Sequence, residues 1–170
     1  MDREDKKSIA LTGFMGVGKT SIGKALAKKM GRQLIDIDSE IEKEVQLPVP
    51  EIFRLYGEEY FREKEKNVID RYRQQDKKVL SLGGGAFLQP EVKDKCLESC
   101  YVIHLGLSWD KWTERCEQLI ETRPVLQGKS MEEMKKLYYE REKIYLDYHL
   151  KVNTDNMSID EVAEEIIRSL

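Results

Sequence analysis

The sequence predicts a three-layer α/β fold built on a parallel sheet, and three observations carry that prediction. Short apolar runs alternate along the chain with amphipathic helical patterns, an order that buries parallel strands between helices on both faces. The segment Gly13-Phe14-Met15-Gly16-Val17-Gly18-Lys19-Thr20 matches G-x-x-x-x-G-K-[ST] and lies between the first apolar run and the first helical pattern, the context a phosphate-binding loop requires. The 170 residues amount to one domain, residues 1–170, large enough to bury a core without help from a disulfide or metal.

The elements follow in order. Ser8–Leu11 reads as the first strand, and the helix after it carries Ile22, Ala25, Leu26 and Met30 on one face and stops at Gly31. Between them, backbone N–H groups freed by the glycines face phosphate oxygens at a helix N-terminus, where the dipole favours an anion. Lys19 brings a mobile positive charge to the β- and γ-phosphates, and the Thr20 hydroxyl suits Mg²⁺. The nucleotide-binding set is therefore Gly13, Gly16, Val17, Gly18, Lys19, Thr20 and the adjoining Ser21.

Gln33–Ile37 reads as the second strand, with Asp36 and Asp38 spaced i, i+2 so that both carboxylates point to one side at its end. A competing reading is that Asp38 or Ser39 caps the next helix, with Ser39-x-x-Glu42 as a capping box. The following stretch, about residues 38–70, is mostly helical, with a Pro48-Val49-Pro50 break, and is expected to form a lobe over the strand ends. Lys78–Leu82, the third strand, runs straight into Gly83-Gly84-Gly85, where bare backbone can approach a ligand; a flexible turn is the alternative.

Tyr101–Leu105 reads as the fourth strand and Leu150–Asn153 as the fifth, followed by a helix with a Ser158-x-x-Glu161 box. The segment of about residues 117–129, holding Arg123-Pro124 and Gly128, is too broken for a helix and reads as a mobile loop. Arg123 there could carry a planar, permanently charged fork to a transferring phosphoryl group. Arg62 and Arg141 also stand out from the mixed-sign background.

Function classes are narrowed by composition. The 29 basic and 32 acidic side chains, net −3, are interleaved, so no basic stripe marks a nucleic-acid or membrane partner. The charged start and the absence of a long apolar run exclude a signal peptide and a membrane span, making the chain cytoplasmic. Cys96, Cys100 and Cys116 form no Cys-x-x-Cys pair, and with His104 and His149 they read as structural.

Together GFMGVGKT, LIDID, EIF…GEEYFREKE, VLSLGGGA and TRPVL, in this order and at these separations, resemble the shikimate kinase family across essentially the whole chain. The resemblance implies a P-loop kinase fold with a five-stranded parallel sheet of order 2-3-1-4-5; separately, a monomer is expected. It implies transfer of the γ-phosphoryl of ATP, with Mg²⁺, to the 3-hydroxyl of shikimate in the route to aromatic amino acids. Carried over by position, Asp38 holds the substrate hydroxyls and acts as base, and Asp36 reaches Mg²⁺ through water. Arg62 and Arg141 grip the substrate carboxylate, while Gly83, Gly84 and Gly85 meet a hydroxyl and the γ-phosphate. Arg123 is the lid arginine, and Arg115 is placed to stack on adenine. The chain departs from the family pattern at Leu47-Pro48-Val49-Pro50, where a small turn is common, and at Asn153–Met157, where an arginine is common. The other readings to test are a kinase for another small polyol acid, such as gluconate, and a nucleotide-dependent switch that binds a protein.

Overall fold

A computed structural model describes residues 6–116 and 128–170. Its centre is β1 (Ser8–Thr12), whose five residues are all buried, as expected of a parallel strand covered on both faces. β2 (Gln33–Asp36), β3 (Lys78–Ser81), β4 (Cys100–Gly106) and β5 (Leu150–Asn153) complete a parallel sheet of order β2-β3-β1-β4-β5. The expected strand order is met, with strand ends shifted by a residue in several places.

Alternation along the strands divides the core in two. Ile9 and Leu11 of β1 join Ile103 and Leu105 on one face, beneath α1 (Lys19–Met30) and α7 (Ile159–Ser169). Ala10 joins Leu80 and Val102 on the other, beneath α2 (Ile37–Val45), α3 (Val49–Arg73) and α4 (Pro90–Ser99). Two further helices finish the first face: α5 (Trp109–Thr113) buries Trp112, and α6 (Met131–Ile144) buries Met134 and Tyr138.

Local signals set the helix limits. α1 ends in Gly31 at φ 65°, and α7 begins with the Ser158–Glu161 capping box. Pro48 caps α3 and Pro50 lies in its first turn, so the prolines separate α2 from α3. Gly57, at φ 85° and ψ 171°, breaks α3 in two, so that the half carrying Arg62 takes its own direction. Among the described residues no helix is long and apolar enough to cross a membrane.

Candidate active site

The chain turns from β1 into α1 at the C-terminal edge of the sheet, beside the central strand, where open α/β sheets hold their ligands. Gly13 sits at φ 153°, and a Cβ there would lie 2.6 Å from the Leu105 carbonyl oxygen of β4, so the loop starts pressed against the neighbouring strand. Lys19 Nζ donates to the carbonyls of Gly13 (2.7 Å) and Phe14 (3.2 Å), which sets the ammonium inside the arc of the loop. The outer side is braced by α5 and the residues just after it: Trp112 Nε1 donates to Met15 O at 2.8 Å, and Arg115 to Gly16 O at 3.0 Å. Phe14 packs between the rings of Trp112 and Tyr138, at 5.5 and 5.3 Å.

A cavity of about 600 Å³ opens in front of this loop, lined by Gly16, Gly18, Lys19, Thr20 and Ser21, by Asp36 and Asp38, and by Ser81 to Gly84. Its oxygen-rich corner is compact. Thr20 Oγ1 donates to Asp36 Oδ2 at 2.6 Å and lies 3.3 Å from Ser81 Oγ. Hard oxygen donors at a phosphate-binding helix start, open on one side for water and phosphate oxygens, fit Mg²⁺. Among the described residues no group of three or more His, Cys, Asp or Glu side chains could hold a metal ion by itself.

The expected strand geometry of the two aspartates is corrected here. β2 ends at Asp36, one residue early, because the Asp36 carboxylate accepts the Ser39 N–H at 3.1 Å and becomes the N-cap of α2. Asp38 therefore stands in the first helical turn, and the i, i+2 strand argument does not place it. The cap is neither Asp38 nor Ser39, and Glu42 accepts the Val49 N–H instead of closing a box. Both carboxylates still line the same cavity.

Beside it, and sharing Met15, Asp38, Val49, Gly83 and Gly84, lies a smaller cavity of about 50 Å³. Phe53 and Phe61 give it an apolar wall; Arg62 and Arg141 enter from α3 and α6. The Nε atoms of both arginines are buried with no hydrogen-bond partner. Buried guanidinium N–H groups in that condition call for an anion, and a carboxylate matches their planar fork. Burial holds the Arg141 guanidinium below its ordinary pKa.

Glu65, to which the sequence pattern assigns no role, completes this pocket. It is fully buried, accepts from Arg62 Nη1 at 3.0 Å, and leaves Oε2 without a partner. Burial raises its carboxyl to about 7; the Arg62 charge opposes that rise and the Asp38 charge adds to it. The i, i+3 spacing from Arg62 was a visible signal, but the mixed charges of Arg62-Glu63-Lys64-Glu65 do not tell which carboxylate turns inward.

The triglycine turn threads between these groups. A Cβ on Gly83 would lie 2.7 Å from Glu65 Oε2 and 3.3 Å from Asp38 Oδ1; one on Gly85 would lie 2.3 Å from Arg62 Nη2. The turn thus brings bare backbone close to the Glu65, Asp38 and Arg62 side chains. Arg123 and most of the loop at residues 117–129 fall outside the described residues. The three cysteines are buried and free. Buried His104 stacks on Tyr145 and Tyr148; burial first, and then the charges of Lys151 and Lys19, lower its pKa to about 4.

Comparison with known proteins points one way. The sequence profile of the family described as Shikimate kinase matches residues 15–170. A shikimate kinase of Oceanobacillus iheyensis is 56% identical over 165 residues, covering 97% of this chain and 90% of that one. A shikimate kinase of Bacillus subtilis is 49% identical over 97% of this chain and 89% of its own length. The structure of a shikimate kinase from Acinetobacter baumannii in complex with shikimate superposes with a TM-score of 0.92 at 29% identity, covering 98% of this chain and 93% of that one.

Proposed function

The chain belongs to the shikimate kinase family, and from that premise we propose how its own residues divide the phosphorylation of shikimate by ATP. The enzyme moves the γ-phosphoryl group of ATP to the 3-hydroxyl of shikimate, giving shikimate 3-phosphate and ADP. The observation that carries the assignment of its site is the small cavity in which Arg62, Arg141, Asp38 and the triglycine turn meet beside the phosphate loop.

Gly13 to Ser21 cradle the phosphates, with Lys19 at the β- and γ-phosphates and Arg115 at the outer edge, on the adenine side. Thr20 and Asp36 would hold Mg²⁺, which when bound neutralises phosphate charge and orients the γ-phosphoryl group. In the acceptor pocket, Arg62 and Arg141 hold the shikimate carboxylate through paired N–H groups, and Glu65 keeps the Arg62 fork turned inward. Gly83 to Gly85 let the ring lie against backbone. Asp38 orients the 3-hydroxyl toward the γ-phosphorus and accepts its proton as the new O–P bond forms and the bond to ADP breaks. Arg123 supplies positive charge to the transferring group from the loop at residues 117–129. Residues 38–70 serve as the acceptor lobe of a single kinase domain.

Coupled measurement of ADP release tests this reading. Release should depend on shikimate and stay at a slow background with gluconate or with no acceptor. ADP release indifferent to shikimate would overturn it. No observation favours the gluconate or protein-switch alternatives.

A further inference from the structure

The acceptor pocket is assembled from separate pieces of chain, and one buried side chain outside the set assigned above joins two of them. Tyr145 follows α6 as its C-cap, one turn beyond Arg141, and only 3% of it is exposed. Its hydroxyl donates to the carbonyl oxygen of Gly84, at the middle of the triglycine turn. Burial raises the phenol pKa, so the O–H remains a donor throughout the working pH range. The ring is fixed from the other side by His104, stacked at 5.0 Å with 27° between planes. His104 lies on β4 in register with Thr12 of β1, whose Oγ1 is 3.5 Å from its Nδ1. The Tyr145 ring is therefore referenced to the two central strands of the sheet.

Gly84 has little freedom between its neighbours. A Cβ there would lie 3.3 Å from Met15 N of the phosphate loop and 3.7 Å from Tyr145 Oη. The glycine on one side of it passes Asp38 and Glu65, and the one on the other passes the Arg62 guanidinium. Rotation of the Gly84 peptide would displace both passages together.

We infer that Tyr145 is a positioning residue for the acceptor, its hydroxyl locking the triglycine turn in register with Arg141 so that the Asp38 and arginine ends of the pocket stay the correct distance apart. Tyr145 acts through the turn and does not touch the substrate. The inference rests on the acceptor-pocket reading given above.

The test is Tyr145→Phe, which keeps the buried ring and its stack and removes only the hydroxyl, compared with wild type in steady-state kinetics. Wild type must show shikimate-dependent ADP release; if it does not, the reading of the pocket fails and the inference with it. Given that release, Tyr145→Phe should raise KM for shikimate about tenfold, equivalent to about 1.4 kcal/mol, with KM for ATP within about twofold and kcat within about threefold. Amide exchange at Gly84 to Leu88 of the unliganded protein should quicken in the variant. An unchanged KM for shikimate would overturn the inference while leaving the pocket reading intact. So would a fall in thermal stability with all kinetic constants preserved, which would make Tyr145 a packing residue. If Tyr145→Phe folds poorly, a double-mutant cycle pairing Arg141→Lys with Tyr145→His, whose shorter ring cannot reach the Gly84 carbonyl, decides: shikimate affinities that simply add would also overturn it.

Discussion

Glu65 shows how a single buried carboxyl can set the terms for an arginine. Its pKa, raised to about 7 chiefly by burial, means that the folded protein holds a proton that the unfolded chain has lost once pH exceeds about 4.5. Relative stability from this group is therefore fully present below pH 4.5 and is lost as pH rises through 7. At about 1.4 kcal/mol per unit, wild type should lose up to about 3 kcal/mol more than Glu65→Gln between pH 5 and 8 in denaturant titrations; parallel pH profiles would show that Glu65 is ionised throughout. Asp38 is the opposite kind of group, proposed above to receive a proton during turnover. Asp38→Asn should lower kcat about 10²–10⁴-fold with ATP affinity unchanged in binding titrations, and a loss below tenfold would remove it from the chemistry. The two residues also mark what was legible. Asp38 stood out because a carboxylate follows a strand beside a P-loop. Glu65 did not, because only the packing of α3 against the triglycine turn distinguishes it from Glu63.

At the scale of elements, the phosphate loop and the triglycine turn differ in how they use close contact. The loop is fixed by backbone: Gly13 against Leu105, Met15 and Gly16 under Trp112 and Arg115. The turn is fixed by side-chain ends. A methyl group on Gly85, whose φ of −107° suits any residue, would meet the guanidinium tip of Arg62 first. Gly85→Ala should therefore fold, with a melting temperature within a few degrees of wild type, while Arg62 swings aside and KM for shikimate rises at least tenfold; calorimetry with ATP should show no change. Retained shikimate affinity would mean that Arg62 is not held by the turn. Elements with a local code were read well from sequence: the P-loop, the Gly31 stop, the Ser158 box and the proline break before α3. The end of β2 was misplaced by one residue because strand and cap compete there, and the hydrogen bond from Ser39 N–H to the Asp36 carboxylate decides for the cap.

Across the whole molecule, the groups of the proposed site come from both faces of the sheet and converge at its C-terminal edge. The proposed phosphate-binding groups lie between β1 and α1 and at the start of α1, the proposed acceptor-binding groups on α2, α3, α6 and the turn after β3. A ligand spanning both should therefore tie the layers together. At a concentration 100 times its dissociation constant it adds about 2.7 kcal/mol, roughly 5–10 °C in Tm for a chain of this size. Shikimate added with ADP and Mg²⁺ should reach that shift in a thermal scan, whereas gluconate should not, and equal shifts for the two acids would count against a pocket selective for shikimate. The strand order itself was legible only through resemblance to a family; alternation of strands and helices gives a parallel sheet but does not order it.

The brace on the phosphate loop has one more consequence. Trp109 and Trp112, the two tryptophans of the chain, stack at 5.1 Å, and the indole N–H of Trp112 is bonded to the Met15 carbonyl of the loop. All of the protein's indole emission thus originates beside the phosphate loop. The unlabelled enzyme carries its own optical gauge: emission should change in step with nucleotide occupancy, so that binding at the loop can be followed in one cuvette without a probe.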